Sequence, residues 1–331
     1  MAHVNTTPTP SDTPADTTVS VFFSEDYVAA AYDFPTTRKS GAIAESVVTH
    51  PIAGVALVAP EPAARADLER VHEPAYIDAI LTGEPRTLAA SAGLSWDPGF
   101  VTALLASTGG CIAAADAAWS SGIAGSLSSG LHHAAPDRGQ GFCSLNGLAL
   151  AALTFLDLGA RSVQIVDLDA HCGGGTQDIL GSNPLVTQVD VSTNSYDGRR
   201  PIDGWTSDLV DDAGEYLPTI IGRLDAIDPD SVGAVLYNAG MDPHEDCATG
   251  GLRGITDAVL AERDRIVFDW AATHGLPIAF VLAGGYTGSR LTDEHLTALH
   301  RLTIDAAAHA HLTHRSAHRS RGGHLTEEAH R

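Results

Sequence analysis

The sequence contains very little lysine. Lys39 is the only one among 331 residues, and 19 Lys and Arg stand against 41 Asp and Glu, which gives a formal net charge of −22 at pH 7. Proteins that bind nucleic acid need cations to neutralise phosphates, and proteins that bind anionic membranes need clustered Lys and Arg. We therefore expect no nucleic-acid partner and no membrane partner, whereas a basic substrate is compatible with this charge.

Cysteines and long apolar runs are also scarce. The four cysteines show neither a C-x-x-C pair nor the spacing of a disulfide framework, which predicts reduced thiols and a cytoplasmic location. The first residues lack a basic stretch followed by an apolar one, so we expect no secretory signal. We see no apolar run of roughly 18 residues without a charge, so we expect no membrane span.

The two ends of the chain differ in composition from its middle. Residues 1–17 are mainly Thr, Pro, Asp and Ser, which predicts a disordered leader. Residues 308–331 are rich in His and Arg, which predicts a flexible tail. Between them, residues 18–307 show no repeat and no linker. We expect these residues to form one catalytic domain.

Within that domain, apolar strands alternate with helices. Strands are predicted at 19–24, 162–168, 185–191, 231–237 and 277–282, and helices at 62–81, 97–121, 143–158, 215–227, 255–274 and 292–308. Continuous apolar strands that alternate with helices indicate an α/β fold, with a mostly parallel sheet covered on both faces. Ligands bind such sheets beyond the carboxyl ends of the strands. The polar residues that follow each strand are therefore the candidate site.

Three of these polar residues have the chemistry of metal ligands. Asp169 and His171 follow one strand at a spacing of two, so they point to the same side. Asp242 follows another strand. A single D-x-H pattern is common by chance, but two carboxylates, one imidazole and an open position are typical of a catalytic metal site.

Two further features are candidates for proton transfer and charge stabilisation. The adjacent His132 and His133 precede a loop with Gly141 and Phe142, and they are either a surface pair or a general base beside the metal. Tyr286 follows two glycines at the end of the last strand, and it is either a rim residue or a phenol aimed at a developing oxyanion.

Five motifs, in this order, resemble those of the histone deacetylase family. They are Gly130-Leu131-His132-His133-Ala134, Gly141-Phe142-Cys143 with Asn146, Asp167-Leu168-Asp169-Ala170-His171, Ala239-Gly240-Met241-Asp242, and Gly284-Gly285-Tyr286. The resemblance covers roughly residues 20–305 and is to bacterial-type, histone deacetylase-like amidohydrolases. It implies the three-layer arginase/deacetylase fold and a zinc-dependent hydrolase that removes an acetyl or other acyl group from an amine.

The resemblance also implies the metal ligands. Asp169, His171 and Asp242 would bind Zn²⁺, and the same two oxygens and one nitrogen suit Fe²⁺ or Co²⁺. Asp167, Asp169 and Ser192 match a monovalent-cation site, which implies a structural K⁺.

Catalytic roles follow from the same resemblance. His133 would be the general base and then the general acid, and His132 would be an electrostatic partner that is hydrogen-bonded to Asp167. Tyr286 would polarise the acyl carbonyl. Phe142 would form one wall of the substrate channel. The other residues that we assign to the channel are Gly141, Tyr196, Trp205, Arg199 and Arg200, and we expect the two arginines either to be solvated or to meet a substrate carboxylate.

Two positions depart from the family pattern. Leu131 stands where the family has Gly before the two histidines. Gly174 stands where the family has Asp or Asn, three residues after the His ligand. That missing side chain would orient His133, so His133 lacks an acceptor unless another group substitutes for it.

Alternative functions remain open at this point. Gly174 favours a catalytically weak homologue that binds acyl groups or acts as a regulatory partner. A ureohydrolase with paired Mn²⁺ needs bridging carboxylates where this chain has Gly173 and Gly240. The sequence leaves open whether the acylated amine is acetyl-lysine in a protein or a small molecule such as an acetylpolyamine, and whether the chain forms a homo-oligomer.

Overall fold

A computed structural model gives the fold of this protein. It describes residues 18–32 and 34–328, and only the backbone of residues 314–328. The predicted leader at 1–17 lies outside the described residues.

The described part of the chain forms one sheet in which all neighbouring strands are parallel. The spatial order of the strands is β2-β1-β3-β8-β7-β4-β5-β6. This confirms the predicted α/β fold. The strands are Val19–Phe22 (β1), Val55–Val58 (β2), Ile123–Ser126 (β3), Val163–Asp167 (β4), Val186–Ser192 (β5), Trp205–Leu209 (β6), Ala234–Ala239 (β7) and Ile278–Leu282 (β8).

Helices connect the strands and cover the sheet. Short 3₁₀ helices lie at Glu25–Val28 and Pro229–Ser231. The α-helices are Pro35–Thr49 (α1), Arg65–Leu68 (α2), Pro74–Thr82 (α3), Arg86–Ala89 (α4), Pro98–Ser121 (α5), Gly147–Asp157 (α6), Gly174–Leu180 (α7), Ala213–Asp225 (α8), Asp257–Thr273 (α9) and Asp293–Glu328 (α10).

The sheet is buried on both faces, because its strands send alternate side chains into two separate cores. In β7, Val235 and Tyr237 pack with residues of α8, α9 and α10, whereas Ala234 and Leu236 pack with residues of α5 and α6. A strand covered on both faces is apolar at most positions, and this pattern made the central strands predictable from the sequence.

Elements at the periphery were harder to predict. Helix α1 and strands β2, β3 and β6 were missed. Strand β6 is an edge strand with only Trp205 fully buried, and β3 is a four-residue strand of mostly small residues. Neither has the run of large apolar residues that marks a central strand.

Two predicted helices have different ends in the structure. The helix predicted at 143–158 begins only at Gly147, because the residues before it belong to a loop and Asn146 caps the helix by accepting a bond from the Ala149 N–H. The helix predicted to end at Ala308 continues to Glu328, and His311 on it is buried. The division into leader, domain and tail stays a prediction.

Helix α5 is the one described helix whose length and composition suit a membrane span, with a mean hydropathy of 1.4 over an 18-residue window. The sequence expectation that no segment reaches this length overlooked it. In the structure 56% of that window is buried, and α5 packs against α6 and the sheet. A buried core helix passes the same test, so the finding is weak evidence for a membrane.

The carboxyl ends of β3, β8, β7 and β4 lie side by side in the middle of the sheet. Asp167 on β4 is in register with Asn238 on β7, and Asn238 is in register with Val281 on β8. The segments that follow these strands carry the candidate site residues, so the topology brings those residues together.

Candidate metal centre and active-site cleft

Asp169, His171 and Asp242 meet at the carboxyl ends of β4 and β7, and all three are buried. Nδ1 of His171 lies 3.2 Å from Asp169 Oδ1 and 3.2 Å from Asp242 Oδ2. The second carboxylate oxygens are held by the backbone, since Asp169 Oδ2 accepts from the Gly284 N–H (2.7 Å) and Asp242 Oδ1 from the Ala170 N–H (2.9 Å). Each carboxylate is thus fixed with one oxygen facing the imidazole.

Glycines make room for these carboxylates. A Cβ at Gly284 would lie 2.0 Å from Asp242 Oδ2 and 2.5 Å from Asp169 Oδ2. A Cβ at Gly240 would lie 2.7 Å from Asp242 Oδ1. The glycines of the two motifs are therefore required by the close approach of backbone and ligand side chains.

The charges of the three residues fit a divalent cation. Burial and the charge of Asp169 raise the pKa of Asp242 to about 6. Burial disfavours the charged form of His171, but its bonds to Asp169 and Asp242 outweigh that and raise its pKa to about 10. The protonated His171 is the positive partner of the two carboxylates in this structure. Once His171 releases its proton, two oxygens and one nitrogen are a suitable donor set for a divalent metal.

His132 forms the hydrogen bond to Asp167 that the family resemblance implies. Its Nδ1 lies 2.8 Å from Asp167 Oδ2, and Asn238 Nδ2 donates to the other oxygen of Asp167 (2.8 Å). Burial disfavours a charged His132, but the charges of Asp167 and Asp169 raise its pKa to about 10. These carboxylates therefore favour the protonated form of His132.

His133 has a carboxylate partner that sequence reasoning missed. Its Nδ1 lies 3.0 Å from Oδ2 of Asp197, in the loop between β5 and β6. The same oxygen accepts from the Gly175 N–H (3.2 Å). An ionised carboxylate only accepts, so Nδ1 carries the proton and Nε2 keeps its lone pair. The sequence left His133 without an acceptor unless another group substitutes for the missing side chain, and Asp197 is that group.

His133 is neutral at working pH. Burial and the neighbouring charge of His132 lower its pKa to about 4. Burial opposes ionisation of Asp197, but the bond from His133 and the positive charge of Arg199 hold the pKa of that carboxyl below its usual value. A neutral imidazole whose Nδ1–H donates to a carboxylate keeps a lone pair at Nε2 that can accept a proton, and in this structure that lone pair faces Nε2 of His132 at 3.1 Å.

Three residues around the site have left-handed backbone conformations. Among the described non-glycine residues, positive φ occurs at Leu131 (57°), Phe142 (62°) and Asp197 (61°). Each costs about 1–2 kcal/mol relative to glycine. Leu131 thus adopts the conformation for which a glycine is the natural choice, which accounts for the glycine that we expected there.

A cleft of about 530 Å³ opens above the metal ligands. His133, His171 and Tyr286 line it together with the predicted wall residues Gly141, Phe142 and Tyr196. The rings of Phe142 and Tyr286 are 6.1 Å apart, and the ring of Tyr196 stands edge-on to His133 at 5.1 Å. Aromatic walls around a polar floor suit an apolar acyl chain.

Three predicted channel residues do not line this cleft. Trp205 is 2% exposed in β6 and packs in the core beneath the sheet. Arg199 donates to Asp178 and Asp197 instead of facing the cleft, and Arg200 is exposed outside it. Sequence reasoning did not identify these two carboxylates as partners of Arg199. One of them lies on α7 and the other in the same loop as Arg199.

Of the predicted monovalent-cation site, Asp167 and Ser192 end the adjacent strands β4 and β5, and Asp169 follows β4. Ser192 is buried, and its hydroxyl donates to Asp190, a buried carboxylate that sequence reasoning missed. Burial and the charge of Asp167 raise the pKa of Asp190 to about 7. The cation at Asp167, Asp169 and Ser192 stays a prediction.

A second histidine and aspartate cluster lies away from the cleft. Asp257 is 2.9 Å from His244 Nε2 and 3.0 Å from His295 Nε2. Nδ1 of His244 accepts from the Asp246 N–H, so Nε2 carries the proton and donates to Asp257. These hydrogen bonds account for the cluster without a metal.

Comparisons with known proteins show the family of this chain. Residues 35–221 match the family profile described as "Histone deacetylase domain". The chain is 37% identical over 235 residues to an uncharacterized protein of Picosynechococcus sp., covering 67% of this chain and 76% of that protein. It is 30% identical to Histone deacetylase 2 of Arabidopsis thaliana, covering 71% of this chain and 64% of that protein.

The name of a third relative gives a different substrate, an acetylpolyamine. Acetylpolyamine amidohydrolase 1 of Pseudomonas aeruginosa is 30% identical over 179 residues, which cover 47% of this chain and 48% of that protein. This chain therefore spans only about half of that enzyme and somewhat under two thirds of the plant protein.

Solved structures share the fold. The HDA15 HD domain superimposes with a TM-score of 0.73 at 21% identity, covering 89% of this chain and 90% of that one. An acetylpolyamine aminohydrolase from Burkholderia pseudomallei gives a TM-score of 0.71 at 19% identity, covering 88% and 98%. The three-layer architecture is thus the one that these proteins have.

Proposed function

This chain belongs to the histone deacetylase family of hydrolases, and we propose that it hydrolyses the amide bond of an acylated amine. The observation that carries the proposal is the meeting of a buried two-carboxylate, one-imidazole cluster with a neutral His133 at one aromatic cleft. Amide hydrolysis needs an activated water, a polarised carbonyl and a proton for the departing amine, and this arrangement offers a group for each.

We propose Zn²⁺ at Asp169, His171 and Asp242, because two oxygens and one nitrogen in a buried site with an open position suit this metal. Fe²⁺ and Co²⁺ accept the same donors. When bound, the metal supplies a Lewis acid for the acyl oxygen and lowers the pKa of water.

The protein's own groups move the protons. His133 accepts a proton at Nε2 from the attacking water and returns it to the departing amine. Burial, with the charges of Asp242 and Asp169, raises the pKa of Tyr286, so its phenol stays protonated and donates to the oxyanion. His132, kept cationic by Asp167, adds positive charge where negative charge develops.

Two alternatives receive less support. Gly174 suggested a catalytically weak or regulatory homologue, because a glycine offers no acceptor for His133. Asp197 provides that acceptor. A paired-Mn²⁺ ureohydrolase needs carboxylates at Gly173 and Gly240, yet a Cβ there would lie 2.5 Å from Asp167 Oδ2 and 2.6 Å from Asp169 Cα. Neither position has room for an aspartate.

The substrate is an acylated amine, either acetyl-lysine in a protein or a small molecule such as an acetylpolyamine. Both classes appear among the names of the relatives. The net charge of −22 favours a cationic substrate in either case. A cytoplasmic location and a homo-oligomeric state stay predictions.

The test is a screen of acylated amines, from acetyl-lysine peptides to acetylpolyamines, with metal content measured on the same sample. We expect hydrolysis of at least one compound by a protein with about one zinc per chain. Binding of an acetylated ligand without turnover would favour the regulatory alternative. Two metals per chain with urea release from a guanidino substrate would favour the ureohydrolase.

A further inference from the structure

We infer that Asp197 is the residue that positions His133, in place of the carboxylate that Gly174 cannot supply; this inference rests on the proposed function. The side chain of Asp197 is 4% exposed, and both of its oxygens are occupied. Oδ2 accepts from His133 Nδ1 and the Gly175 N–H, and Oδ1 accepts from Gln140 Nε2 (2.7 Å) and Arg199 Nη1 (2.7 Å). A carboxylate bound at four points holds the imidazole in one tautomer and one orientation.

The position of Asp197 depends on the absence of a side chain at Gly174. A Cβ at Gly174 would lie 2.1 Å from the carbonyl oxygen of Asp197 and 2.8 Å from its Cγ. A side chain at 174 and the loop in its present position therefore exclude each other. The absence of a carboxylate at 174 is the condition that lets Asp197 reach His133.

Arg199 holds this loop against helix α7. Its Nε and Nη2 donate to the two oxygens of Asp178 (2.9 and 2.7 Å), and its Nη1 donates to the Asp197 carbonyl and carboxylate (3.0 and 2.7 Å). The bidentate pair with Asp178 is the geometry in which an arginine is most directional. These bonds also offset the strain of the left-handed conformation at Asp197.

The loop that orients His133 is also a wall of the cleft. Tyr196 precedes Asp197, lines the cleft and stands edge-on to the rings of His133 (5.1 Å) and His171 (6.1 Å). Substrate contact and orientation of the base thus depend on one segment. If the only role of Asp197 were to shape the wall of the cleft, replacing it would raise KM. If Asp197 positions His133, replacing it lowers kcat.

The test compares Asp197→Asn with Asp203→Asn in the zinc-loaded protein. Asp203 is an exposed turn residue of the same loop, so the control makes the same charge change away from His133. We expect Asp197→Asn to lower kcat by about 10–100-fold with little change in KM, and Asp203→Asn to leave both unchanged. Partial recovery of kcat by formate in Asp197→Ala would show that a carboxylate is what the site lacks. Unchanged kcat, or a rise in KM alone, in Asp197→Asn would overturn the inference.

A second readout does not depend on turnover. The proton on His133 Nδ1 should give a downfield ¹H signal coupled to ¹⁵N, assigned by its loss in His133→Ala, and it should move upfield in Asp197→Asn but not in Asp203→Asn. If no acylated amine is hydrolysed while this shift appears, the proposed function fails and the contact of Asp197 with His133 stands. If the signal is the same in Asp197→Asn and the wild type, the inference fails whatever the activity.

Discussion

Nε2 of His132 lies 3.1 Å from Nε2 of His133, yet the two rings bond to carboxylates from different parts of the chain. Asp167 at the end of β4 holds His132, and Asp197 in the loop after β5 holds His133. Two residues adjacent in sequence therefore differ in pKa, which is raised for His132 by neighbouring carboxylates and lowered for His133 by burial and the charge of His132. A protonated His132 donates its Nε2–H to the Nε2 lone pair of His133, so the attacking water must replace His132 there for the proposed role of His133 as a base.

Replacing His133 by Ala should lower kcat by about 10²–10⁴-fold, the usual contribution of a general base. Zinc content should stay as in the wild type, because His133 is not a metal ligand. Turnover of the best acylated amine from the screen and metal analysis of the same sample check both points. The matched control is His50→Ala, since His50 is exposed at the end of α1. Equal turnover in His133→Ala and the wild type would refute the assigned role.

Removing the metal should lower the midpoint of thermal unfolding, and adding Zn²⁺ back should restore it, because a ligand that binds only the folded state stabilises that state. The Asp242→Asn variant should lose most of this response. Thermal denaturation with chelator and with graded Zn²⁺ measures it. A shift in Asp242→Asn as large as in the wild type would place the metal elsewhere.

Replacing glycine by alanine should change the free energy of unfolding in opposite directions at two helical positions. It should fall at position 174 and rise at a position where the added methyl group meets nothing. Gly174→Ala forces the Asp197 carbonyl away, so we expect lower kcat and a lower free energy of unfolding. Gly222→Ala, inside α8 where a Cβ meets nothing within 4 Å, should raise the free energy of unfolding by about 1 kcal/mol with kcat unchanged. Chemical denaturation and steady-state kinetics of both variants test the pair. Gly174→Ala with wild-type kcat and stability would show that the loop has room to spare.

Buried His72 should make the protein less stable in mild acid. Its Nδ1 bonds to the Ala135 carbonyl and its Nε2 accepts from the Asn146 N–H, and burial lowers its pKa to about 4. Between pH 6.5 and 4 the unfolded chain binds a proton that the folded protein does not, so stability falls as the pH falls through this window. The contribution lost between pH 7 and 5 is about 2 kcal/mol.

The measurement is the free energy of unfolding at pH 7 and pH 5 for the wild type and His72→Asn. His72→Asn loses hydrogen bonds, so its free energy of unfolding should be lower than that of the wild type at both pH values. The fall in its free energy of unfolding from pH 7 to pH 5 should, however, be smaller by about 2 kcal/mol. An equal decrease in both proteins would show that folding does not lower the pKa of His72.

The central strands and the candidate metal cluster were predictable because their signals are local. A strand buried on both faces is apolar along most of its length, as residues 234–237 of β7 are, and Asp169 and His171 share a side by their spacing alone. The pairing of His132 with Asp167, implied by the family resemblance, is also found. The same reasoning failed for Trp205, whose place in an edge strand gives no clear pattern.

By itself, the sequence determined the parallel α/β architecture and the donor set of the candidate metal centre, because strand periodicity and ligand chemistry are properties of short segments. Only the tertiary structure decided which carboxylate orients His133 and where Arg199 points. Gly174 read alone indicated a missing partner, and Asp197 in a loop gave no signal of its own. Their relation exists only because the β5–β6 loop folds over α7 and fills the space that a side chain at 174 would occupy.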